Sequence, residues 1–155
     1  MKKLIAVICS IALCAALFAA CGKTAEADVD VRDIYEKIAS SAAMPAESIE
    51  LTKNDLLDYY GISPESVAEC VAVQDACGYK DEIVIIKAVD ENAADEINGL
   101  LEEHIAYQCE SMRNYDAAQY EILCSSKTVE NGCYTAMFIS AEQDKMNDIF
   151  NSFFD

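Results

Sequence analysis

Ile83-Val84-Ile85-Ile86 is a run of β-branched residues, apolar at every position. A strand with one wet face alternates apolar and polar side chains, whereas a strand covered on both faces reads as a continuous apolar run. This segment is therefore expected to be a central strand. Asp90 follows as the N-cap of a long helix, roughly Glu91 to Arg113. Along it Ile97, Leu101, Ile105, Cys109 and Met112 recur at steps of four, four, four and three, with Leu100 widening the stripe. A helix with one apolar face, entered directly from a central strand, has to pack on the sheet. That packing is expected to place Cys109 in the core.

Working outward, Val67, Val71 and Val73 are expected on one face of a preceding strand, with Glu69 interrupting it. Gln74–Asp81, with Gly78 at its middle, makes the turn between the two strands. Upstream, Val31, Ile34, Tyr35 and Ile38 have helical spacing behind an Asp30 cap, with Asp33 three residues on. Thr52-x-x-Asp55 opens a shorter helix through Leu56, Leu57 and Tyr60. Gly61 is its C-cap and Pro64 stops it resuming. Met44–Leu51 between these helices reads as loop.

Downstream, Asp116–Leu123 is a short element docked by Tyr120 and Leu123. Asn131-Gly132 suits a type I′ hairpin turn. Lys127–Glu130 leads into it and Cys133–Ile139 leads out, which sets Cys133 opposite Glu130. Ser140-x-x-Gln143 is a capping box for a last helix striped by Met146, Ile149, Phe150, Phe153 and Phe154. The order α-α-β-β-α-β-β-α, with a short extra helical element after the long helix, predicts a single α+β domain: an antiparallel sheet of about four strands with helices packed on it in two layers.

The N-terminus reads as a targeting segment. Lys2 and Lys3 precede an apolar run from Leu4 to Ala20, which ends at Leu17-Phe18-Ala19-Ala20 before Cys21-Gly22. A positive start, a short apolar stretch and small residues before a cysteine make a lipoprotein export signal. Phe18 stands where leucine is usual. An uncleaved anchor and an ordinary secretory signal are the other readings; the run is short for a bilayer span, and Phe18-Ala19-Ala20 departs from A-x-A. The expected organisation is a signal over 1–20, a lipidated tether over 21–29 and a domain over 30–155. Cys21 is the lipid attachment residue, its diacylglyceryl group the sole non-protein component expected. Extended, the eight tether residues from Gly22 to Val29 reach about 28 Å. The domain then stays close to the outer face of the cytoplasmic membrane.

The chain carries 11 basic and 28 acidic residues. Cleavage before Cys21 removes two of the former and none of the latter, leaving a formal charge of −19. That excludes a nucleic-acid partner, which needs a basic footprint, and keeps the domain standing off anionic lipid. Five of the eight cysteines would remain in the mature domain besides Cys21: Cys70, Cys77, Cys109, Cys124 and Cys133. None has CxxC or zinc-ligand spacing. Reduced, buried cysteine is the expectation for most of them.

Catalytic patterns are absent from the sequence. His104 is the sole histidine and lies beside the stripe of the long helix, so it is expected at a helix border. Asp28-x-Asp30-x-x-Asp33 lacks the glycine and terminal glutamate of a calcium loop, and helix capping explains those acids. Asp81-Glu82, half of a possible carboxylate pair, is expected to keep a turn hydrated. Glu102, Glu103 and Glu110 form a solvated helix face. Tyr107, Tyr115, Tyr120 and Tyr134 are the candidate interaction surface, because tyrosine suits contact patches. No catalytic, cofactor or metal residues are expected, and five glycines leave little room for a phosphate loop.

Several pieces in order carry a resemblance: Cys21-Gly22, a short helix, Tyr60-Gly61-Ile62, Asp81-Glu82-Ile83-Val84-Ile85-Ile86-Lys87, a long acidic helix, Asn114-Tyr115-Asp116-Ala117-Ala118-Gln119-Tyr120, and Asn131-Gly132-Cys133-Tyr134. Together they resemble the small lipoproteins of clostridia and related Gram-positive bacteria that carry domain-of-unknown-function family 4358. The resemblance spans nearly all of the mature domain and brings no catalytic residues with it. It implies a source with a single membrane, often anaerobic, and so reduced thiols. The function expected is a lipid-anchored, non-enzymatic binding or accessory domain that holds an envelope protein or peptide near the membrane. The alternatives are capture of a small ligand or cation for a transporter, and thiol redox chemistry at Cys70, Cys77, Cys124 or Cys133.

Overall fold

The computed structural model describes residues 28–77 and 81–155. The signal segment, Cys21, most of the tether and Gly78 lie outside the described residues. Helix α1 (Val31–Ala39) is followed by β1 (Ser48–Leu51), α2 (Asp55–Tyr60) and a single 3₁₀ turn. Strands β2 (Val67–Asp75) and β3 (Glu82–Ala88) form a hairpin, and α3 (Glu91–Met112) and α4 (Ala117–Ser125) come next. Strands β4 (Thr128–Asn131) and β5 (Tyr134–Ile139) form a second hairpin before α5 (Gln143–Asn151). The sheet is antiparallel throughout, in the order β1-β2-β3-β5-β4. The fold class is α+β as expected, with five strands rather than about four.

The added strand is β1, which lies in the stretch expected to be loop. Three of its four residues are exposed and Leu51 alone is buried. Such an edge strand carries too little apolar alternation to announce itself. As expected, β3 is central, and both of its faces are covered. Val84, Ile86 and Ala88 meet Leu56, Tyr60, Ile97, Leu101, Ile105 and Leu123 from α2, α3 and α4. Ile83 and Ile85 meet Ile34, Ile38, Met146 and Phe150 from α1 and α5. The domain thus has three layers, not two. Each large side chain closed off this way is worth about 1.5–3 kcal/mol, and the two apolar faces of β3 require both layers.

Val67, Val71 and Val73 do not share a face. The pairing steps from Val67↔Ala88 to Glu69↔Lys87, so β2 carries one extra residue at that point. Such a bulge inverts which side chains point inward: Val67 joins the α3 side, while Val71 and Val73 join the α1 side. The turn of the second hairpin sits one residue later than expected, which shifts the pairing by two: Glu130 faces Thr135, not Cys133. Asn131 pairs with Tyr134, so the turn is Gly132-Cys133. Gly132 has φ 56°, and among the described residues no non-glycine residue has positive φ. That is the type II′ pattern, with glycine first, rather than type I′.

Asp30 and Asp90 cap their helices as expected, accepting from the backbone N–H of Arg32 and Ala93. Gly61 closes α2 at φ 73°. The expected box at Ser140 forms differently. Gln143 Nε2 donates to Ser125 Oγ at 2.8 Å, and Ser140 accepts from Glu142 N–H. Among the described residues no helix is long and apolar enough to cross a membrane.

Candidate functional site

The site grows from the turn end of the β2–β3 hairpin. Gln74 and Glu82 are cross-strand partners there, and the α2 C-terminus brings Tyr60 over them. Tyr60 donates its hydroxyl to Glu82 Oε2 at 3.1 Å and accepts from Gln74 Nε2 at 3.1 Å. His104 Nε2 lies 3.0 Å from the same Glu82 oxygen, with side chains 13% and 14% exposed. The His104 ring stands edge-on to Tyr60, centroids 4.7 Å apart. Burial, and secondarily the Glu82 charge, pushes the Tyr60 phenol well above its ordinary range. Tyr60 is therefore a fixed neutral donor that positions the carboxylate.

This network floors a cleft of about 290 Å³ between α2, the hairpin and α3. Asp58, Asp75, Asp81 and Glu82 bring four carboxylates to its wall, and no lysine or arginine lines it among the described residues. Tyr59 and Tyr107 also line it, standing 52% and 73% exposed. Carboxylates beside exposed aromatic faces match an organic cation: the charge meets the acids and the carbon skeleton meets the rings. Among the described residues no group of three or more His, Cys, Asp or Glu is placed to hold a metal ion.

The four tyrosines of the expected surface do not come together. Tyr107 lines the cleft and Tyr115 is 85% exposed beyond the end of α3. Tyr120 packs half-buried beside the α3 core. Tyr134 is buried on the opposite side of the sheet, where its hydroxyl accepts from Val29 N–H at 2.9 Å and donates to Val29 O at 3.0 Å. His104 and Glu82, read singly as a border residue and a turn acid, form the centre of the site. A length argument connects them. Seven residues of β3 rise about 23 Å at 3.3 Å each, and a helix returning over that strand needs about 15 residues. Counted from Glu91, this reaches the neighbourhood of His104, opposite Glu82 where β3 begins.

The cysteines divide. Cys70, Cys77 and Cys133 are in no disulfide, but they are not the buried thiols expected: Cys70 and Cys133 are half-buried and Cys77 is exposed. Partial burial raises the Cys70 thiol above its usual value. Cys109 and Cys124 instead form a disulfide, Cα atoms 5.4 Å apart. They meet because α4 folds back along α3, a tertiary event that no spacing rule reveals.

A three-layer α+β domain with an acidic, tyrosine-lined cleft defines a class by architecture rather than by a known chemistry. Residues 40–140 match the family described as Domain of unknown function (DUF4358), and the chain belongs to that family. No curated protein and no solved structure matches the chain.

Proposed function

We propose that this protein is a lipid-anchored, extracytoplasmic binding domain, not an enzyme, and that it holds a basic peptide segment of an envelope partner in the acidic cleft. The carrying observation is the wall of Asp58, Asp75, Asp81 and Glu82, with Tyr59 and Tyr107 exposed beside it. A lysine or arginine side chain supplies both the charge and the apolar stem that such a cleft accepts. Export rests on Lys2, Lys3, the apolar run and Cys21. The Cys109–Cys124 disulfide supports it, since such bonds persist in oxidising compartments.

The test places a photo-crosslinking residue at Tyr107 of the full chain in living cells. One discrete adduct through a basic segment is expected, and it should vanish when Asp58→Asn and Asp75→Asn are combined. An adduct indifferent to those changes overturns the cleft reading. A small organic cation destined for a transporter is the second reading, favoured by the small concave shape of the cleft. It predicts no protein adduct and a thermal shift with a polyamine. Cys21→Ala is expected to release the protein from the membrane fraction.

A further inference from the structure

We infer that the Cys109–Cys124 bond is a thiol–disulfide exchange site whose substrate is a small dithiol able to close to its own ring disulfide. The bond lines an open groove of about 400 Å³ on the far side of α3 from the acidic cleft, with Ile105, Leu123 and Lys127 beside it. The bond lies in a groove wide enough for a small reductant. Its two sulfurs differ: Cys124 belongs to an exposed residue at the end of α4, whereas Cys109 is half-buried against the α3 core. Exposed disulfides are the labile ones, and access decides which sulfur is attacked.

The exchange is fully balanced. A thiolate of the dithiol attacks Cys124 Sγ, the Cys109–Cys124 bond breaks, and Cys109 leaves as a thiolate. The second thiol, deprotonated, then attacks the reagent sulfur of the mixed disulfide and expels the Cys124 thiolate. Two electrons pass from the dithiol to the protein, the dithiol closes to its own disulfide, and the two cysteines end protonated. Lys127 and Glu102 both line the groove, so its charge is balanced and access, not charge, selects the sulfur that is attacked. Because the bond is the covalent side-chain tie between α3 and α4, its reduction leaves α4 held by Leu123, by the half-buried Tyr120 and Ile122 and by the Asp116 cap.

The experiment exposes the native full-length chain to dithiothreitol without denaturant, alkylates free thiols and maps each cysteine by mass spectrometry. Cys109 and Cys124 should become labelled together while thermal unfolding stays cooperative. Two single variants then test the asymmetry with the disulfide reagent dithiobis(nitrobenzoate). Cys109→Ser, which leaves Cys124 free, should react at least about tenfold faster at that sulfur than Cys124→Ser does at Cys109, as their unequal access requires. A bond that resists dithiothreitol until the protein unfolds, or equal rates at the two sulfurs, overturns the assignment.

Discussion

Replacing Tyr60 by phenylalanine removes one oxygen from the floor of the acidic cleft and leaves the ring in place. That hydroxyl serves Glu82 and Gln74 at once, each at 3.1 Å, in a side chain 5% exposed. A hydrogen bond to a charged group contributes about 1.5–3 kcal/mol. Gln74 is partly open to water and recovers most of its loss. Tyr60→Phe is therefore expected to cost about 2 kcal/mol, or about 8 °C at roughly 4 °C per kcal/mol for a domain of this size. Urea unfolding with a shared slope measures it. The same change in a Glu82→Gln background should cost only about 1 kcal/mol, because a neutral amide holds the hydroxyl less strongly. A cost below about 0.5 kcal/mol, or one identical in both backgrounds, would refute the idea that Tyr60 positions a buried carboxylate.

Two further outcomes follow from the fold. Gly61→Ala should lower stability by about 1–2 kcal/mol through its left-handed backbone alone, since a Cβ there would meet Leu100 Cδ2 at a comfortable 3.8 Å; Gly61→Asn should cost less, and thermal melts separate the two. Glu130 is held above the ordinary carboxylate value of 4.5, by burial first and then by Asp95 and Glu102. Its folded form grips the proton more tightly than the unfolded chain does, so the charged group opposes folding at neutral pH. Glu130→Gln should raise the melting temperature at pH 7, and the gain should close as pH falls through the raised value to 4.5.

Much of this architecture was legible because it follows from local periodicity. Ile83–Ile86 announced a strand covered on both faces, and the stripe from Ile97 to Met112 announced the helix above it. The covering of the second face was implicit in Ile83 and Ile85, which needed α1 and α5 as partners. What escaped were features set by a single residue or by distant contacts. One extra residue in β2 separated Val67 from Val71, and a turn at Gly132-Cys133 in place of Asn131-Gly132 moved the pairing of the second hairpin by two. The cleft escaped because Tyr60, Glu82 and His104 come from three elements, each unremarkable in its own neighbourhood. Tyr134 was read as a contact residue although its hydroxyl is occupied by Val29.

That last contact has an orientational consequence. Val29 is clasped by Tyr134, the β5 residue opposite Lys87 near the far end of β3, and Asp28 pairs with Lys87 itself. The chain thus enters the domain at one pole of the central strand, while Glu82 and the cleft occupy the other. Five strand steps set those poles about 17 Å apart. On the proposed anchoring through Cys21, the bilayer would lie toward the Lys87 pole and the cleft would point outward. The extended tether, about 28 Å, and the roughly 17 Å of strand would then add in setting how far the cleft stands from the headgroups.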